Sequence, residues 1–120
     1  MKQLSIRQPY VHFILSGLKT YEFRSWKTDY RGPVLIHVSK KRDSGEHLPM
    51  RLRERIPLEL PTGGFVGVVD IVDVEDRGDT GELHFRYAWK LKNPRRIKFI
   101  PALGSLGLRD APRSLMRYAR

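Results

Sequence analysis

The chain contains no cysteine, so it has no disulfide framework, no thiolate metal site and no thiol nucleophile. It also lacks any apolar run approaching the ~20 residues that span a bilayer. Its opening Met1-Lys2-Gln3-Leu4-Ser5-Ile6-Arg7 has none of the apolar core of a signal peptide. The expectation is a soluble, cytoplasmic protein with no membrane partner. His12, His37, His47 and His84 show none of the close spacings of zinc ligands, so no metal or cofactor is expected, and His37 reads as packed within a strand. Acidic charge is scarce: 13 Asp and Glu face 23 Lys and Arg, leaving a net charge of +10. That imbalance points to a polyanionic partner.

The shortage of acid is uneven along the chain. Residues 86–120 hold ten Lys or Arg against the single acid Asp110, whereas residues 61–85 hold only Arg77 against six acids. The basic end is therefore a candidate phosphate-binding surface, with Arg95, Arg96 and Lys98 at its centre; each side chain taken singly also fits a solvated face. With 120 residues and 40% hydrophobic content, the chain suits one domain over 1–120 with a single core.

Strand patterns dominate the organisation. A short strand over 4–6 precedes a helix opened by Gln8-Pro9, and Gly17 falls where a left-handed helix terminus belongs. A strand over 20–26 follows, then the turn Tyr30-Arg31-Gly32-Pro33 and the apolar run Val34-Leu35-Ile36-His37-Val38, read as a buried strand. Ser39-Lys40-Lys41-Arg42 follows it as a basic loop. Prolines 49, 57 and 61 confine any helix in the next connection to about two turns. Residues 65–74 give the strongest strand signal and must be central, with Gly67 at a bulge or a close backbone approach and Asp70 and Asp73 where the strand meets solvent. The acidic stretch 75–81 reads as a polar turn. A strand over 82–91 is then expected to be broken by Asn93-Pro94, with a short basic segment over 95–100, a glycine-rich loop, a last strand, and a terminal helix from Asp110-Ala111-Pro112 through Tyr118. The sum is an α+β fold: a curved, mostly antiparallel sheet or small barrel of about six strands with two or three short helices.

Chemistry concentrates in Gly17-Leu18-Lys19-Thr20-Tyr21-Glu22-Phe23-Arg24. Lys19 sits in a turn, free of strand parity, and can join Glu22 and Arg24 on one rim while Tyr21 and Phe23 point to the core. Glu22 is expected to hold Lys19 as a cation, which favours anion binding over proton abstraction; a structural ion pair closing the helix-strand junction is the plainer alternative. Ser105, in Gly104-Ser105-Leu106-Gly107, offers a hydroxyl beside glycine-freed N–H groups for a phosphate or base edge, or simply a serine in a tight turn. Tyr10, Trp26 and Trp89 are candidate stacking residues, with Trp89 read as core and Trp26 as exposed.

Several pieces together resemble the ASCH domain family, a small β-barrel fold related to the PUA domain. They are Ser5-Ile6-Arg7-Gln8-Pro9-Tyr10 with Ile14, Gly17-x-Lys19-x-x-Glu22-x-Arg24, Tyr30-Arg31-Gly32-Pro33 with its following strand, Gly64-x-x-Gly67 with residues 68–73, Tyr87-Ala88-Trp89 with Asn93-Pro94, and Gly104-Ser105-Leu106-Gly107-Leu108. Arg109 stands where the family often has an aromatic residue. The resemblance implies a cleft under the glycine-rich loop, suited to a nucleobase or nucleic-acid strand. It gives the expectation of an RNA-binding protein whose cleft contains Lys19, Glu22, Arg24 and Ser105, flanked by Arg7, Tyr10, Trp26, Lys40, Lys41, Arg95, Arg96 and Lys98.

The rival expectation is an enzyme using Lys19, Glu22 and Ser105. Some family members cleave RNA and others hydrolyse an amide on a modified cytidine, and the lysine essential in them maps to Lys19. The amidohydrolase group carries threonine where this chain has Glu22. A third expectation is an interaction module with protein partners in translation or RNA processing.

Overall fold

In the computed structural model, which describes residues 1–78 and 86–120, strand β1 (Lys2–Ile6) leads into helix α1 (Tyr10–Leu15), then β2 (Tyr21–Arg24) and β3 (Gly32–Val38). The one-turn helix α2 (Met50–Arg53) follows, then the two long strands β4 (Gly64–Asp76) and β5 (Tyr87–Pro101), the two-residue β6 (Arg109–Asp110) and a terminal 3-10 helix (Arg113–Ala119). The six strands form one sheet in the order β2-β5-β4-β3-β1-β6. All pairings are antiparallel except β1 with β3. The expected strand start over 82–85 with His84, and the turn residues 79–81, lie outside the described residues. No helix among the described residues is long and apolar enough to cross a membrane.

The apolar run of β3 is buried on both faces, as its composition requires. Val34, Ile36 and Val38 join the larger core under α1, together with Ile14, Leu15, Val69, Ile71 and Trp89. Leu35 points the other way, into a smaller cluster with Phe65, Val68 and Leu115 of the 3-10 helix. Alternation thus feeds one strand into two cores. Phe13, on the far side of α1, packs with Leu48 and Leu52, which fixes α2 beneath it. Trp89 is fully buried, as its sequence context implies.

Two expectations are corrected. Asn93-Pro94 does not end a strand: β5 continues through it, and residues 93 and 94 together oppose the single residue Val69 between the matches Val68↔Arg95 and Asp70↔Lys92. Asn93 takes a left-handed φ of 56°, and Pro94, with no N–H to donate, is tolerated because a bulge leaves that position outside the ladder. The expected terminal helix is present, as a 3-10 helix over Arg113–Ala119.

The second correction is that the sheet is not closed into a barrel. β6 reaches only Lys2 and Gln3 of β1, while β2 pairs with β5 alone among the described residues. Among the described residues, the distal half of β1 therefore keeps a free edge. There the Arg24 guanidinium donates to the Ser5 carbonyl at 2.9 Å, so a side chain spans the seam that a barrel would close with a ladder.

Candidate functional site

The seam is built by local geometry. After α1, Gly17 adopts φ +81°, and the N–H groups of Leu18 and Lys19 both donate to the Phe13 carbonyl, at 3.0 and 2.9 Å. This tight terminus delivers Lys19 to the start of β2. On β2 the ladder places Glu22 opposite Trp89 and Arg24 opposite Tyr87, so Glu22 and Arg24 share a face.

Lys19, Glu22 and Arg24 converge. The Arg24 Nη2 lies 2.8 Å from Glu22 Oε2 and the Lys19 Nζ lies 3.6 Å from Glu22 Oε1. Lys19 also donates to the Tyr21 carbonyl, and its ammonium stands 5.8 Å from the Tyr10 ring centre and 5.3 Å from that of Phe23. The parity expected for β2 is inverted. Glu22 is its buried residue, 8% exposed, whereas Tyr21 and Phe23 are half-buried and stacked on each other. A carboxylate can face inward here because β2 borders the open seam and two cations neutralise it.

A cleft of about 560 Å³ opens over this triad, within the range of about 300–1,000 Å³ of small-ligand sites. Its walls include Tyr10, Phe23 and Trp26, and its rim carries Arg7, Asp43 and His47. Trp26 is half-buried rather than exposed: its ring meets Trp89 edge-on at 4.7 Å, and its carbonyl accepts the Trp89 indole N–H.

Electrostatics revise the expectation for Lys19. Burial lowers its pKa from the ordinary lysine value; Glu22 pulls it up and Arg24 pushes it down, and the net direction is downward. Desolvation thus outweighs the carboxylate, and Lys19 gives up its proton more readily than a free lysine. Tyr10 moves the other way, to about 12, through burial and then its hydrogen bond to Asp43. Burial pushes the Asp43 carboxyl up, but the Gly45 N–H and the Tyr10 hydroxyl outweigh it and leave the group below its usual value.

Ser105 is not in this cleft. It lines a second cavity of about 360 Å³ with Ser39, Lys40 and the loop around Gly104, and Ser5 is the residue common to both cavities. Lys41, Arg96 and Lys98 are exposed outside both. Arg95 is committed elsewhere: its guanidinium binds Asp70 at 3.0 Å and the carbonyls of Asn93, Ala119 and Arg120, which ties the chain end to β5. Sequence reasoning missed Ser5, Phe23, Asp43 and His47 as cleft residues. Ser5 carried a signal by lying beside Arg7 and Tyr10 in one motif, and Phe23 by lying within the run from Gly17 to Arg24.

A family model described as "ASCH domain" matches residues 4–101. Activating signal cointegrator 1 of Homo sapiens is 30% identical over 79 residues, covering 58% of this chain and 14% of that protein. Its counterpart in Mus musculus is 32% identical over 79 residues, with the same coverage of 58% and 14%. The match therefore spans about one seventh of these relatives. Among solved structures, the YTH domain of Zygosaccharomyces rouxii MRB1, determined in complex with N6-methyladenosine RNA, aligns with TM-score 0.40 and 13% identity, over 83% of this chain and 61% of that one.

Proposed function

The chain belongs to the ASCH domain family, and from that premise we propose that it binds single-stranded RNA, holding one unstacked nucleobase in the cleft over Lys19, Glu22 and Arg24. The observation that carries this reading is the make-up of the cleft: aromatic rings of Tyr10, Phe23 and Trp26 around a floor of paired charge, in a protein with a surplus of ten positive charges. Rings offer a π-face to any base, and the fixed carboxylate and cations present acceptors and donors to a base edge. Arg7 at the rim, with Lys40, Lys41, Arg96 and Lys98 on the surface, meets the phosphates. Such contacts supply affinity and strong salt dependence but little sequence information.

The test is fluorescence anisotropy of a labelled single-stranded RNA across a salt series, with wild type and Trp26→Ala. Binding that weakens steeply with salt, and by roughly 5- to 100-fold in the variant at fixed salt, is expected for the loss of one stacked base. Absence of binding at low salt, or a variant that binds as tightly as wild type, overturns the reading.

One observation favours a second reading: burial drives the Lys19 pKa down, towards the range of a general base. In that reading Lys19 takes the proton of a ribose 2'-hydroxyl as its oxygen attacks the adjacent phosphorus, the bond to the 5'-oxygen breaks and that oxygen takes a proton from water; or Lys19 serves hydrolysis of an acylated cytidine. Incubating labelled RNA and acylated cytidine with wild type and Lys19→Ala, in chelator, separates binding from turnover. Binding with no product from either substrate removes the enzymatic reading for them.

A further inference from the structure

Ser5 serves the two cavities with different groups. Its carbonyl accepts Arg24 on the cleft side, while its hydroxyl lies 3.1 Å from Nδ1 of His37, its register partner on β3, among the residues of the second cavity. The other ring nitrogen of His37, Nε2, is 2.7 Å from the Ala102 carbonyl. A carbonyl only accepts, so Nε2 carries the proton, and in the neutral ring Nδ1 is a bare acceptor. The Ser5 O–H must then donate to Nδ1, and its oxygen is left able only to accept. The glycine-rich loop presses on this pair: a Cβ at Gly104 would stand 2.6 Å from Ser5 Oγ and 2.7 Å from the His37 ring.

The remainder of the second cavity has the opposite polarity. Lys40 lines it, no carboxylate among the described residues does, and Ser39 accepts the Lys41 N–H at 3.3 Å, which leaves its own O–H to donate. The Ser105 hydroxyl is buried with no partner among the described residues, a costly condition that an acceptor on a ligand relieves. One wall therefore offers a lone acceptor and the rest offers a cation and two hydroxyl donors.

We propose that this cavity is a ribose-phosphate subsite, taking the phosphate of a ribonucleotide on Lys40, Ser39 and Ser105 and a ribose hydroxyl on the Ser5 oxygen. Resting on the reading of the neighbouring cleft as a nucleobase pocket, it makes the ligand RNA rather than DNA, because the deoxyribose carries no 2'-hydroxyl to satisfy Ser5.

Two probes test it on the intact wild-type protein, so that no variant need fold. Ribose 5-phosphate titrated into isotope-labelled protein is expected to move the amide signals of Ser39, Gly104 and Ser105. A single-stranded RNA is expected to bind roughly 5- to 10-fold tighter than the same sequence with 2'-fluoro sugars, which keep the RNA pucker but lack the donor. Unmoved signals with ribose 5-phosphate, or equal affinity for the two oligonucleotides, overturn the proposal. An oligonucleotide that moves the Trp26 signal but not Ser105 removes the subsite and leaves the cleft reading standing; one that moves neither removes both.

Discussion

Glu22→Gln removes the charge that holds the seam together while preserving the shape of the side chain. In the wild type, one buried carboxylate faces Arg24 at 2.8 Å and Lys19 at 3.6 Å, with side chains 23% and 13% exposed on the two cations and 10% on Glu22. Coulomb attraction at these distances is about 4–6 kcal/mol per pair for an effective dielectric near 20, largely offset by desolvation. Losing one partner of a buried pair typically costs about 3–5 kcal/mol, and since glutamine keeps an acceptor for Arg24 the expected loss is about 2–3 kcal/mol. For a domain of this size that lowers Tm by roughly 8–12 °C.

The loss must also depend on pH. The folded pKa of Lys19 is already lowered, so below it the buried charge opposes folding. As pH rises from the folded pKa towards the unfolded value the native state binds fewer protons than the unfolded state and stability rises. Glu22 is what pulls that pKa up, so the variant lowers it further and widens the window. Urea unfolding followed by tryptophan fluorescence should show the variant furthest below wild type at about pH 7 and closer to it at about pH 10. Adding Lys19→Met to Glu22→Gln should recover part of the loss. A variant within about 0.5 kcal/mol of wild type at neutral pH, or a loss equal at both values, would refute the account of Glu22 as a charge-compensating brace.

Two further outcomes follow from packing and ionisation. Gly64→Ala places a Cβ 2.5 Å from the Ile100 backbone carbonyl, which cannot move without breaking the β4-β5 ladder, so a loss of roughly 2–4 kcal/mol is expected in denaturant unfolding. A loss under about 0.5 kcal/mol would show the ladder to be looser than this. Tyr10 should ionise at about 12, well above its ordinary value, in an ultraviolet titration of the chain's tyrosines. The folded state holds that proton where the unfolded state releases it, so this contribution to stability is present below about pH 10 and is lost as pH rises towards 12. Tyr10→Phe should remove that slope.

Much of the fold was legible because its signals are local. The apolar run 34–38 and the long pattern over 65–74 announce buried strands, and Gly17 marks the helix end by its need for positive φ. The close approach at Gly67 was also legible, since a Cβ there would sit 2.7 Å from the Arg95 carbonyl. What misled was equally local. Asn93-Pro94 carries the chemistry of a breaker, but a bulge has the same requirements, and only pairing with β4 distinguishes a bent strand from an ended one. Tyr21 and Phe23 looked like the inner face of β2 because aromatic residues usually are; Glu22 takes that face because Lys19 and Arg24 meet it there.

The sequence by itself determined the family, the strand-rich α+β class, the positive charge and the grouping of Lys19, Glu22 and Arg24, because each rests on residue type and short spacing. The tertiary structure alone decided that the sheet stays open beside β1, that Ser105 belongs to a second cavity, and that Arg95 ties down the chain end. It also decided the sign of the Lys19 shift. Glu22 is three residues away and visible in the sequence, but the desolvation that overrides it comes from burial against Tyr10 and Phe23, and burial is a property of the assembled fold.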